Sequence, residues 1–327
     1  MNFLADFLWL LLGLLILLLS IVALLSPFEA LGWWAGWSKR RLAPLATEKP
    51  TDVVVRNDAG FFLVYLTGIL GFEGGSAGDR ENALIESITE RLPAHAVIIS
   101  DVFPYSVSNN PLNGERLFAA AWSWVDRRRR TYKSPVNLYS AIIVTRNLFQ
   151  VAVSADPRYG PISNLGVARE IAASLLRHGY PPGSGKAIYI VGYSGGGQIA
   201  VGAARYLRMA FAAPIRVVSL GGVISDDPGI ADVDHLYHIE GEKDPMPKLG
   251  ALLYPGRWPF LPYSKWNQAR RAGRITVVKS GPMAHFGRSD YFSRSTKFPD
   301  GQSYSAHTAE LAAQCILQAE TEKPESQ

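Results

Sequence analysis

The chain has 327 residues, 48% of them hydrophobic and 19% charged, with a formal net charge of +5 at pH 7. That length suffices for one large α/β domain with a sizeable core and does not by itself require two. The positive balance does not point to nucleic acid, because the basic residues gather locally, at Lys39-Arg40-Arg41 and at Arg127 to Arg130 with Lys133, without an aromatic-interleaved basic motif. Cys315 is the only cysteine, which excludes an intrachain disulfide framework and fits a reducing compartment.

Residues 3–25 form an almost uninterrupted apolar run whose only charge is Asp6. A bilayer core needs about 20 apolar residues as a helix, so this run is long enough to span. A cleavable signal peptide would want basic residues before a shorter apolar stretch, and Asp6 stands there instead. Phe28, Trp33, Trp34 and Trp37 follow as an interfacial aromatic belt, and then come Lys39, Arg40 and Arg41. Basic residues on that flank predict a single-pass anchor with the rest of the chain on the cytoplasmic side. Pro44 to Pro50 reads as a linker.

Strands are expected at 52–56, 61–67, 96–100, 187–191, 215–220, 235–239 and 275–279. Helical stretches fall between most of them, at 82–91, 166–178 and 198–211, with a last one at 306–319. Strands alternating with helices require crossover connections, so the expected class is α/β: a doubly wound, mainly parallel sheet with helices on both faces. Residues 111–153 carry additional, mostly helical sequence, either a lid or packed helices.

Between the strand at 187–191 and the helix at 198–211 stands Gly192-Tyr193-Ser194-Gly195-Gly196. A G-x-S-x-G pentapeptide alone is common, but between a strand and a helix it marks a serine held out on a sharp turn. A serine hydroxyl becomes nucleophilic when a base takes its proton, and the base needs an orienting carboxylate. In a doubly wound sheet these groups come from the C-terminal ends of strands. His95, His178 and His235 precede strands and lie at the wrong end, while His238 sits within one as a core histidine. His285 follows the strand at 275–279 in Gly281-Pro282-Met283-Ala284-His285-Phe286-Gly287 and is the expected base, with His307 as the alternative. The same rule selects Asp244, in Glu240-Gly241-Glu242-Lys243-Asp244-Pro245, over Asp226 or Asp227; Glu242 reads as solvent-facing.

With these motifs in the order Ser194, Asp244, His285, the chain resembles the α/β-hydrolase family from about residue 61 to its end. The resemblance implies a serine hydrolase of carboxylesterase or lipase type that cleaves an ester or related acyl bond through an acyl-enzyme. It also implies an oxyanion hole made by the Gly195 N–H and a second N–H after the strand at 61–67, assigned to Ile69 in Gly68-Ile69-Leu70-Gly71-Phe72. That loop lacks the histidine-glycine pair common in lipases. The organisation so read is a transmembrane anchor at 1–27, an interfacial segment and linker at 28–51, an α/β-hydrolase-like domain at 52–321 and a disordered tail at 322–327.

No cofactor and no metal is expected. Gly195-x-Gly197-x-x-Ala200 fits a loose dinucleotide fingerprint, but the next strand ends in Gly221-Gly222 where an acidic ribose ligand is wanted. Gly183-Ser184-Gly185-Lys186 lacks the leading glycine and hydroxyl residue of a phosphate loop, and His235 and His238 fall on opposite faces of a strand. The expected partners are an acyl substrate, small or lipid, and the membrane. Trp258 and Trp266 favour an apolar acyl group. The alternative is a non-catalytic protein of the same fold, binding or scaffolding at the membrane through the anchor and Arg127 to Arg130.

Overall fold

The structure, a computed structural model, describes residues 54–69, 78–105 and 138–321, together with Trp9, Gly13, Leu14 and Leu17. Six strands, β1 (Phe61–Leu66), β2 (Ala96–Ile99), β3 (Ala187–Tyr193), β4 (Ile215–Leu220), β5 (His235–Glu240) and β6 (Ile275–Lys279), form one sheet. Its order is β2-β1-β3-β4-β5-β6, with every neighbouring pair parallel. The helices are α1 (Asp79–Thr89), α2 (Leu138–Ala155), α3 (Gly160–Arg177), α4 (Gly195–Phe211), α5 (Met246–Leu253), α6 (Lys265–Arg271) and α7 (Tyr304–Thr321).

The central strands are covered on both sides, which is why β1 (FFLVYL) and β3 (AIYIVGY) are apolar almost throughout and buried at every position. Alternation decides which side each residue serves. Phe62, Val64 and Leu66 pack with Val167 and Ile171 of α3 and Leu207 of α4. Phe61, Leu63 and Tyr65 pack with Leu84 and Ile88 of α1 and Ala312 and Ile316 of α7. A parallel sheet with helices on both faces is consistent with an α/β-hydrolase-like fold. From β1 the chain crosses outward to β2, then returns beside β1 as β3 and proceeds the other way. That reversal opens a crevice between the C-terminal ends of β1 and β3, where an open α/β sheet binds its ligand.

Several boundaries differ from the sequence reading. Residues 54–56 are irregular, not a strand: Val54 is 80% exposed, and the tie there is Arg56 N–H to the Gly179 carbonyl at 2.8 Å. That bond joins the segment to the end of the helix Gly160–Arg177 and not to a strand of the sheet. α3 begins at Gly160, well before the expected start, because Pro161 suits a first turn as well as a break. α5 and α6 were not expected. They are short and carry no apolar 3.6-residue period long enough to read. The expected anchor at 3–25, the segment at 28–51, most of the additional stretch at 111–153 and the tail at 322–327 fall wholly or largely outside the described residues. Among the described residues, no helix is long and apolar enough to cross a membrane.

Candidate active site

Ser194 is the single residue between the end of β3 and the start of α4, with φ 53° and ψ −121°. Backbone in that region costs a non-glycine residue on the order of 1–3 kcal/mol and persists only where its surroundings enforce it. Here they do. A Cβ on Gly192 would lie 2.6 Å from the Gly196 carbonyl, and one on Gly196 would lie 2.6 Å from the Leu66 carbonyl oxygen, so only glycines let the turn close against β1. The Ser194 N–H donates to the Leu220 carbonyl at 2.9 Å, fixing the turn to β4 as well.

His285 lies in the loop after β6, with Nε2 2.9 Å from Ser194 Oγ and Nδ1 2.8 Å from Asp244 Oδ2. All three side chains are buried. A carboxylate offers only acceptors, so the imidazole tautomer that satisfies both contacts has its proton on Nδ1 and its Nε2 lone pair toward the serine hydroxyl. The ring is gripped on several sides. Tyr193 stacks on it with centroids 5.2 Å apart, and the Tyr193 hydroxyl donates to the His285 carbonyl at 2.6 Å. Phe286 meets it edge-on at 4.4 Å. Arg80 of α1 holds the loop from outside with a two-pronged bond to Asp290, at 3.0 and 2.5 Å.

Asp244 sits in the loop after β5. Oδ1 accepts from the Met246 N–H at 2.8 Å, and Oδ2 accepts from the Tyr291 hydroxyl at 2.7 Å besides facing His285. Tyr291 itself accepts from the Gly241 N–H at 2.7 Å, which aims its hydrogen at the carboxylate. Burial, together with the Asp244 charge, pushes the Tyr291 phenol well up, so it stays a donor. Gly221, at φ +57° after β4, lies beneath the pair: a Cβ there would come within 2.4 Å of Asp244 Oδ2 and 3.1 Å of His285 Nδ1.

The structure therefore brings Ser194, His285 and Asp244 together and leaves the other candidates elsewhere. Asp226 accepts from the Trp266 N–H at 2.6 Å, and Asp227 caps the 3₁₀ turn Pro228–Asp232 by accepting from the Gly229 N–H at 2.7 Å. His307 Nδ1 pairs with Gln302 Oε1 at 3.1 Å. His238 is fully buried, with Nδ1 3.2 Å from Ser219 Oγ. Its Nε2 faces Glu240 at 3.3 Å without hydrogen-bond geometry, and burial drives its pKa down to about 3, so the contact joins a neutral ring to a carboxylate. Trp266 is buried beneath the Arg257 guanidinium at 3.8 Å, so it does not present an apolar surface to an acyl group.

On the other flank of Ser194, Gly195 opens α4, and its N–H has no intrahelical acceptor. The place a Gly195 Cβ would take is already within 2.4 Å of Val151 and 3.1 Å of Ile69 Cγ2, so α2 and the loop after β1 close over this point. Ile69 is held by its carbonyl, which accepts from Asn147 Nδ2 at 2.8 Å, and Tyr105 ties the same loop by donating to the Thr67 carbonyl at 2.9 Å.

Tyr291, Gly221 and Arg80 were not found from the sequence. Only Gly221 left a trace there, as half of a glycine pair closing β4. Among the described residues, no three His, Cys, Asp or Glu side chains gather as a metal site. No protein-family model matches the chain, and no curated protein matches it. Among solved structures, it is similar to LpqC, a poly(3-hydroxybutyrate) depolymerase from Bordetella parapertussis, at 14% identity over 85% of this chain and 84% of that one, with a TM-score of 0.38. A likeness that slight carries nothing about this chain's chemistry, which rests on its own geometry.

Proposed function

We propose that this chain is a serine hydrolase that cleaves an ester or related acyl bond through an acyl-enzyme on Ser194. The observation that carries the reading is the continuous relay from Ser194 Oγ to His285 Nε2 and from Nδ1 to Asp244, built on a serine held at φ 53°. In this reading Oγ bonds to the substrate carbonyl carbon as its proton passes to Nε2. The resulting oxyanion is met by the N–H groups of Gly195 and Ile69, and such donors are each worth on the order of 3 kcal/mol in the transition state. The imidazolium then gives its proton to the departing alcohol oxygen. Water, deprotonated by the same Nε2, releases the acyl group as a carboxylic acid and restores Ser194. Asp244 stays a carboxylate throughout, orienting the ring and stabilising its charged form. The proposal includes the N-terminal segment at 3–25 as a membrane anchor with this domain on the cytoplasmic side.

The test is active-site labelling. A fluorophosphonate probe should label the full chain, and Ser194→Ala should abolish both labelling and turnover of short acyl esters. Asp244→Asn should reduce turnover less than Ser194→Ala, because nucleophile and oxyanion donors remain. Labelling that survives Ser194→Ala would assign the nucleophile to another residue.

A further inference from the structure

Directly after Asp244, the chain turns its apolar side chains outward. In α5, Pro247 and Gly250 face the protein while Leu249, Leu252 and Leu253 face solvent, a reversal of ordinary helix amphipathicity. The segment that follows exposes Phe260, Leu261 and Tyr263; Leu252 is 68%, Phe260 71% and Tyr263 88% exposed. These two apolar faces belong to one packed unit. Arg257 reaches from the turn between them to the Pro247 carbonyl at 3.4 Å and stands over Trp266 of α6, and Asn267 Nδ2 donates to the Trp258 and Leu261 carbonyls at 2.8 and 3.0 Å. An apolar surface of this kind, made of leucines and aromatics and tied down rather than loose, marks an interaction site.

Charge says what it meets. Lys243, Lys248, Lys265, Arg270 and Arg271 are all exposed along the same stretch, and Arg271 is bonded to the Pro262 carbonyl at the edge of the apolar surface. Glu242, just before Lys243, is exposed, and from 243 to 279 the only carboxylate is the buried Asp244. A second copy of the chain would bring the same excess of basic side chains against this one, and like charges repel across an interface. An anionic bilayer satisfies both features, since basic side chains meet its headgroups while leucines and aromatics enter the boundary with the acyl chains.

We infer that residues 246–263 form a face that docks the domain on an anionic lipid bilayer. The inference does not rest on the hydrolytic reading, but it has a consequence for it. The Met246 N–H is bonded to Asp244, and Phe286, which follows His285, is half exposed. Docking through α5 therefore turns the end of the sheet that holds Ser194 toward the lipid.

The test uses the full chain carrying Leu252→Cys labelled with the environment-sensitive fluorophore NBD, with Tyr263→Cys as a second position. Cys315 competes poorly for the label, because it is buried and its thiol is pushed up to about 11. The labelled protein is reconstituted in vesicles of phosphatidylcholine and in vesicles that also contain phosphatidylserine. With phosphatidylserine, the emission should shift to the blue and the label should resist iodide quenching. The triple variant Lys248→Glu, Arg270→Glu, Arg271→Glu should weaken that docking on the order of fivefold per charge removed. A label equally open to water in both vesicles overturns the inference, and equal burial in phosphatidylcholine alone overturns its anionic part. A blue shift without vesicles that grows with protein concentration assigns the face to a second copy instead. Leu252 touches no part of the relay, so turnover of a soluble ester, measured on the same samples, reports separately on the proposed chemistry.

Discussion

Tyr291 shares Asp244 Oδ2 with His285, and this makes it the residue whose role is most open to a single substitution. Tyr291→Phe removes one hydrogen bond to the carboxylate and leaves the Gly241 N–H without its acceptor. A bond to a charged group contributes roughly 1.5 kcal/mol to stability, so the variant should melt lower; in the proposed mechanism a carboxylate held less firmly against His285 should also lower kcat with KM unchanged. Steady-state kinetics on a short soluble ester checks this, and a kcat equal to that of the unsubstituted protein would leave Tyr291 only a packing role. That Ser194, Asp244 and His285 come together was legible in the sequence because each sits just past the end of a strand, among glycines and prolines that punctuate it. Tyr291 was not. Which way a side chain points from the loop after His285 is decided by what packs around it, here Tyr193 at 6.2 Å between ring centroids.

The turn from β3 into α4 is the element on which the geometry depends. Gly196→Ala would put a methyl group 2.6 Å from the Leu66 carbonyl oxygen and 2.8 Å from that of Thr67. Neither is a flexible side chain, so α4 must draw away from β1. In the proposed mechanism that movement separates the two oxyanion donors, and losing one costs roughly a hundredfold in kcat. The variant should also melt at a lower temperature, and a Gly196→Ala protein with unaltered turnover would disconnect this approach from activity. The turn was readable from its motif, as were the long helices from their spacing between strands. α5 and α6 were hidden for different reasons: α5 turns its leucines outward, and α6 is announced only by Ser264, whose hydroxyl accepts from the Asn267 N–H at 3.1 Å.

At the scale of the whole molecule, His238 links stability to pH. Burial holds it neutral down to about 3, while an unfolded histidine takes up a proton near 6.5. Above that unfolded value the group is neutral in both states and no stability is lost. As pH falls from about 6.5 toward 3, the unfolded chain binds a proton that the folded one refuses, and stability declines. Asp227 acts with the opposite sign: burial raises it to about 6, so the folded state holds a proton that the unfolded state sheds, and its contribution grows as pH drops through that value. The difference between proteins isolates the histidine. Urea midpoints by circular dichroism should fall less steeply on acidification for His238→Gln than for the unsubstituted chain, and parallel profiles would refute the assignment. The alternation of strands and helices made the fold class legible from sequence, but not the order in which the strands line up. Whether β2 lies outside β1 or between β1 and β3 depends on which helix covers which face, and no local pattern encodes that.

β3 and β6 hold two parts of one relay, but they do not hold them equally firmly. β3 lies inside the sheet and is buried along its length, while among the described residues β6 pairs with β5 alone, and Val277 is 47% exposed. Proteins open locally at a lower free energy than they unfold, and they do so first where fewest neighbours hold a segment. His285 would thus detach from a Ser194 that is still in place, with Arg80 and Tyr193 as the clasps that delay it. Under the proposed function, inactivation and unfolding then become two events: on gentle heating, ester turnover should fade and amides of the His285 loop should exchange with solvent while those of β3 stay protected. If both sets of amides and the activity are lost together, the sheet opens as one unit.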